Sequence, residues 1–78
     1  MTLNIISAQS IVFSGEVKSV TLPGAKGRFT VLRDHASLIS TLVKGDVVYT
    51  DADGQHQTAA IDGGIVSVDN NVISVCVA

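Results

Sequence analysis

β-Branched side chains dominate the apolar content of this chain: twelve valines and seven isoleucines stand against five leucines. Two heavy atoms on Cβ restrict χ1, which mildly disfavours helices and suits a pleated surface. Seven glycines and a single proline cut the 78 residues into short segments. Turn signals at that spacing predict an all-β sandwich or barrel, and the length predicts one small domain over residues 1–78. A chain that is 46% hydrophobic and 15% charged has too much apolar content to be disordered or collagen-like. Its core is nevertheless thin. Ordering costs roughly 1.5 kcal/mol per residue, and a core of this size nearly cancels that term, so docking on a partner would add stability.

Leu3 to Ser7 reads as a first strand, Ile11 to Phe13 as a short second one and Glu16 to Leu22 as a third. In the third, Val17, Val20 and Leu22 break strict alternation, which predicts a bulge. Pro23-Gly24 is expected to end it, and Ala25-Lys26-Gly27 to extend the loop before Arg28 to Leu32 resumes an extended run. Val47 to Ala52 and Gln55 to Ile61 flank Asp53-Gly54, a strong hairpin signal because both central positions of a two-residue turn need φ > 0. Such a turn would set Ala52 opposite Gln55 and Asp51 opposite His56, giving His56 a structural cross-strand partner worth about 0.2–1 kcal/mol when charged. Ile65 to Asp69 and Val72 to Val77 flank Asn70-Asn71, a second tight turn, since Asn tolerates the left-handed region. One stretch is ambiguous. His35, Leu38, Ile39 and Leu42 have helical spacing, with Asp34 placed as a cap, yet a helix of about eight residues is marginal by itself.

The charge excludes one large class of partner. Five Lys and Arg residues against seven acids, a formal net charge of −2, are too few and too scattered for a nucleic-acid face. No uncharged run approaches the roughly 20 residues of a spanning helix, and Met1 to Asn4 lacks the basic and apolar opening of a secretory signal. Cys76, the single cysteine, reads as a small buried hydrophobe between Val75 and Val77, and one unpaired thiol fits a reducing compartment.

No catalytic or metal centre emerges. No Gly-x-Ser-x-Gly elbow surrounds any serine, and His35 and His56 lie in different segments without a spaced acidic set. Gly24-Ala25-Lys26-Gly27 lacks the Gly-Lys-Ser/Thr ending of a phosphate loop. Gly63-Gly64 precedes a strand, which predicts a tight backbone crossing. An enzyme using His35 beside Asp34 is the weakest functional reading. What remains is the stretch from Pro23 to His35, where Lys26, Arg28 and Arg33 surround Phe29. It is either a solvated loop or a contact surface for something polar or acidic.

The order of these motifs resembles the N-terminal β-domain of the epsilon subunit of F-type ATP synthases. The likeness runs through Leu3-Asn4-Ile5-Ile6-Ser7, Val12-Phe13-Ser14-Gly15-Glu16-Val17, Val20-Thr21-Leu22-Pro23-Gly24 and Gly27-Arg28-Phe29-Thr30-Val31-Leu32. It continues through His35-Ala36-Ser37-Leu38-Ile39, Lys44-Gly45, Gly63-Gly64-Ile65-Val66-Ser67-Val68 and Asn71-Val72-Ile73-Ser74-Val75. The resemblance implies a flattened ten-stranded β-sandwich, with His35 to Leu42 extended. It also implies a noncatalytic rotor subunit without a cofactor or metal, packed on the gamma subunit and on the polar loops of the c-ring, peripheral to the cytoplasmic face of a bacterial inner membrane. Torque would pass through rigid packing. A freestanding adaptor sharing the scaffold is the competing reading.

By resemblance the ring-facing loop matches Gly27, Arg28, Phe29, Arg33 and His35, and the gamma-facing side matches Ser7, His35, Ser40 and Asp62. Family members usually have an acid where Arg28 stands, a glycine at Thr30 and Pro-Gly at Arg33-Asp34. A cation in an acid's place implies a partner loop with a complementary acid. The family often continues beyond Val75-Cys76 into paired helices that can inhibit ATP hydrolysis and, in some members, bind ATP. The sequence in hand ends at Ala78, so the expectation is of no C-terminal helical domain.

Overall fold

A computed structural model describes all residues from Met1 to Ala78, as eight strands without a helix. The strands are β1 (Thr2–Ile6), β2 (Ile11–Gly24), β3 (Gly27–Leu32), β4 (Leu38–Leu42), β5 (Gly45–Asp51), β6 (His56–Ile61), β7 (Gly64–Asp69) and β8 (Val72–Val77). Two layers share β2. Its first half runs antiparallel to β1, which lies parallel to β8, and β8 continues through β7 to β4. Its second half lies between β3 and β5, with β6 outside β5. The molecule is flattened to 27 × 24 × 18 Å.

The alternation that defines a half-buried strand builds the core between these layers. Leu3 and Ile5 of β1, Val66 and Val68 of β7, Ile73 and Val75 of β8, and Val47 and Tyr49 of β5 all point inward and are buried. Val20 and Leu22 of β2, Val31 of β3, Leu42 of β4 and Ile61 of β6 complete it. The Phe13 and Tyr49 rings meet at 4.5 Å, tilted by 37°, within the range of favourable aromatic pairs.

The sandwich class is as expected, with eight strands where ten were implied. The two segments Ile11 to Phe13 and Glu16 to Leu22 form one 14-residue strand. The expected bulge is present as a register shift between Val17 and Ser19. Pro23-Gly24 does not end the strand. Beyond Thr21 the β5 ladder has stopped, so the missing Pro23 N–H breaks no rung, and the Pro23 carbonyl accepts from Val43 N at 2.9 Å. The turn falls instead on Ala25-Lys26, between Gly24 and Gly27.

The Leu38–Leu42 stretch is a strand, as the resemblance implied. Five rungs to β7 provide backbone partners that a helix of two turns could not match. Asp34 is no helix cap: it sits at φ 64° in a turn closed by His35 N donating to Leu32 O at 3.1 Å. Asn70 and Asn71, at φ 50° and 63°, form the expected two-residue turn between Asp69 and Val72.

The Asp53-Gly54 hairpin is present with a different register. Only Gly54, at φ 85°, has positive φ, and its N–H donates to Asp51 O at 3.0 Å while Asp51 N donates to Gln55 O at 2.9 Å. The loop therefore has three residues and ends in a glycine bulge. Asp51 lies opposite Gln55, and His56 pairs with Thr50, so the expected Asp51–His56 pair does not form. The Asp51 side chain selects the longer loop: its Oδ1 accepts from Asp53 N at 3.0 Å and Gln55 N at 2.9 Å. Cys76 is exposed, not buried, because Val75 and Val77 point inward on either side of it.

Candidate functional site

Three of the five cations were expected on one loop. Strand β3 separates them. Lys26, Gly27 and Arg28 are exposed at the β2–β3 turn, where Arg28 Nη2 donates to Asp46 O at 3.3 Å. Phe29 is half-buried beside Gly24, where an added Cβ would lie 2.9 Å from its ring. Arg33 and His35 follow the other end of β3, about 16 Å away at the usual strand rise. The basic turn instead adjoins the β4–β5 turn: Ala25 N donates to Thr41 O at 2.9 Å, and Gly45 lies against Pro23. Lys44 is therefore its near neighbour.

The expected gamma-facing residues are also spread out. Ser7 follows Ile6 and organises the next turn, its Oγ accepting from Gln9 N at 3.3 Å and Ser10 N at 3.2 Å. Exposed Asp62 precedes Gly63, whose carbonyl accepts from Ala78 N at 3.1 Å. Since Ile6 pairs with Cys76, Ser7 and Asp62 sit at the same end of the β1–β8–β7 sheet. His35 lies beyond the opposite end, before Leu38. Ser40 is half-buried on the inner side of β4, opposite Val66.

His35 and Asp34 do not form an acid–base pair. The His35 Nδ1–H donates to Ala36 O at 2.7 Å, while Asp34 is turned to Asn71. Asn71 Nδ2 donates to Asp34 Oδ1 at 3.0 Å, and Asp34 N donates to Asn71 Oδ1 at 2.7 Å. Elsewhere, burial and then the Asp51 charge push the Tyr49 hydroxyl above its ordinary pKa. Asp51 is held below the usual carboxylate range, first by the Gln55 backbone N–H.

The outer faces of the two layers hold what residue-by-residue reading missed. On the β1–β8–β7–β4 layer, register aligns Thr41, Ile65, Cys76 and Ile6 in one row, and Ile39, Ser67, Ser74 and Asn4 in the next. Ile39, Ile65 and Ile6 are 78%, 54% and 40% exposed. An open groove of about 490 Å³ lies beside Ile39, lined also by Ser37, Leu38, Ser67, Val68 and Asp69. The signal was present in sequence as apolar residues on the polar parity of their strands, but it is readable only once parity is known.

Comparison with known proteins gives this geometry a family. All residues, 1–78, match the model of the ATP synthase delta/epsilon chain β-sandwich domain. The chain belongs to that family. Over 75 residues it is 45% identical to the ATP synthase epsilon chain of Campylobacter jejuni subsp. doylei, covering 96% of this chain and 58% of that protein. The epsilon chain of Wolinella succinogenes is 46% identical over 69 residues, 88% of this chain and 53% of that one. The chain thus spans little more than half the length of these relatives. A subunit of the Euglena gracilis mitochondrial ATP synthase shares the fold with a TM-score of 0.88 at 21% identity, covering 96% of this chain and 48% of that one. A chain of the Tetrahymena thermophila central stalk and c-ring structure gives 0.79 at 14%, covering 99% and 62%.

Two positions of this domain have clear structural readings. Asp34 occupies the third position of its turn at positive φ, the place a type II turn reserves for glycine. The Asn71 clasp holds it there. Thr30 lies across from Thr21 with their hydroxyls 2.9 Å apart.

Proposed function

We propose that this chain is a noncatalytic rotor component of a proton-translocating F-type ATP synthase, peripheral to the cytoplasmic face of a bacterial inner membrane. It packs on the gamma subunit and on the c-ring, helping to couple proton flow to ATP synthesis. The observation that carries this reading is the match of the whole chain to the delta/epsilon sandwich, joined to bacterial relatives named as epsilon chains. A stiff sandwich suits a part that passes torque, because close-packed interiors transmit strain.

On this reading the exposed β2–β3 turn, with Gly27, Arg28 and Phe29, meets the c-ring. Arg28 reverses the charge that family members usually carry there, so the facing ring loop supplies an acid. Because β3 parts them from that turn, Arg33 and His35 do not share its contact, and His35 belongs with the gamma-facing set.

Calorimetric titration of the chain into the gamma subunit of the same organism tests the central claim. Saturable binding with one chain per gamma is expected, and a folded chain that fails to bind refutes it. A basic residue in the ring loop opposite Arg28 would overturn the charge assignment alone.

A further inference from the structure

We propose that the free edge of β6 is a self-pairing surface, where two copies of this chain join by antiparallel strand addition about a two-fold axis. The pairing concerns the chain outside any larger assembly and does not rest on the rotor reading. Strand β6 pairs only with β5, and His56, Gln57, Thr58 and Ala60 are exposed. The ladder fixes which backbone groups are free. Asp51 N donates to Gln55 O, so the alternation of antiparallel pairs assigns Gln57, Ala59 and Ile61 to bonds with β5. The N–H and C=O groups of His56, Thr58 and Ala60 therefore point away from the sheet.

Comparison with the other open strands selects this edge. Strand β3 carries Arg28 and is followed by Arg33, and cations on an edge repel an incoming strand. Strand β4 is bonded on its second side to the end of β2 through Thr41 O and Val43 N. Strand β6 has neither protection: His56–Ile61 contains no Lys, Arg, Asp, Glu or Pro, and its ladder to β5 runs without a bulge. A second copy is the occupant that the register favours. Thr58 is central among the outward residues, so a two-fold axis there sets it opposite Thr58 of the second copy. His56 then lies opposite Ala60 of that copy, and each pair exchanges both bonds. The same axis brings Asp62 of the second copy level with Gly54, where Lys18 Nζ lies 3.9 Å from the position of an added Cβ. Asp51 leaves that ammonium available, because its carboxylate already accepts from Asp53 N and Gln55 N. Asp53 stands at the same tip and opposes the contact, so backbone pairing carries most of the attraction.

A pair joined by one strand edge is weak, so the test follows the chain from ~10 µM to ~1 mM. Sedimentation of the parent chain should show a mass that rises from 8.1 kDa toward twice that value and stops there. Amide exchange, read by NMR at the two ends of that range, should slow at least about tenfold at His56, Thr58 and Ala60, more than at any other exposed amide. Thr58→Pro removes the central donor without touching the β5 ladder, and Thr58→Lys sets two cations face to face across the axis. Each should keep its melting curve at low concentration and stay monomeric throughout, while Thr30→Lys, on β3, should pair as the parent does. A parent chain that remains monomeric at ~1 mM overturns the proposal. So does pairing that survives Thr58→Lys, and so does protection that falls on β1, β8 and β7, which would put the second copy on the isoleucine-bearing face. Growth past twice the chain mass would mean that β6 docks on a different edge, and the two-fold pairing would be wrong.

Discussion

The two outer faces of the sandwich differ although the same β-rich composition builds both. The β3–β2–β5–β6 face presents hydroxyls that satisfy one another. Thr21 and Thr30 are 2.9 Å apart, Ser19 Oγ donates to Thr50 Oγ1 at 3.3 Å, and Thr50 Oγ1 lies 3.2 Å from His56 Nδ1. The β1–β8–β7–β4 face carries isoleucines instead, on positions where alternation calls for polar residues. Both layers bury aliphatic side chains inward, so the inner faces account for the fold. The outer faces differ in whether their side chains satisfy one another or leave apolar area exposed.

Single glycines in the two layers differ in the room around them, and substitutions can break or sharpen the contrast. The largest effect is expected at Gly64, where β7 enters the apolar-faced layer at φ 151°. A Cβ there would overlap the Cys76 carbonyl and lie 3.0 Å from Val77 Cα. Gly64→Val should cost at least ~3 kcal/mol in urea unfolding; a loss under ~1 kcal/mol would mean that the crossing is looser than described. Asn71→Ala removes both bonds to Asp34 and leaves a residue at φ 63°. A loss of about 1–2 kcal/mol is expected, with faster backbone exchange at Asp34.

Gly54→Ala tests the hydroxyl-faced layer, where positive φ at the hairpin bulge has open space around it apart from the Lys18 amine at 3.9 Å. Only the backbone preference is lost, about 1 kcal/mol, so Gly64→Val should exceed it severalfold. Smallest is the outer-face exchange. Ile39→Ser should move stability by no more than ~0.5 kcal/mol, because that side chain is 78% exposed; a loss above ~1 kcal/mol would show that Ile39 supports the fold.

The hairpin also predicts a pH dependence. Asp51 has its folded-state pKa lowered, first by the Gln55 backbone N–H. Its contribution is therefore complete above the unfolded value, near 3.8, and is lost as pH falls through the folded value. Asp51→Asn should flatten the acid limb of the stability curve below that pH; an unchanged limb would mean that other carboxylates carry it.

Local chemistry made much of this legible. Asn70-Asn71 announces its turn because Asn tolerates the left-handed region, and Gly63-Gly64 announces a close approach because no other residue fits. The abundance of valines and isoleucines and the spacing of the glycines were enough for an all-β domain, and the order of motifs was enough for its family. The hairpin at Asp53-Gly54 was correctly located and wrongly registered, because the choice between two and three loop residues rests on what the Asp51 carboxylate accepts.

Other features depended on partners distant in sequence. Leu38 to Leu42 suits a helix or a strand until β7 offers five rungs. Pro23 looks terminal until the neighbouring ladder stops before its missing N–H is needed. Lys26, Arg28 and Arg33 read as one basic loop until β3 sets them at its two ends. By itself the sequence determined the strand content, the tight turns and the family, since these follow from backbone preferences of single residues and their order. Only the tertiary structure decided which apolar side chains face outward together, because a strand's two sides acquire identities when neighbours pair with it and cover one of them.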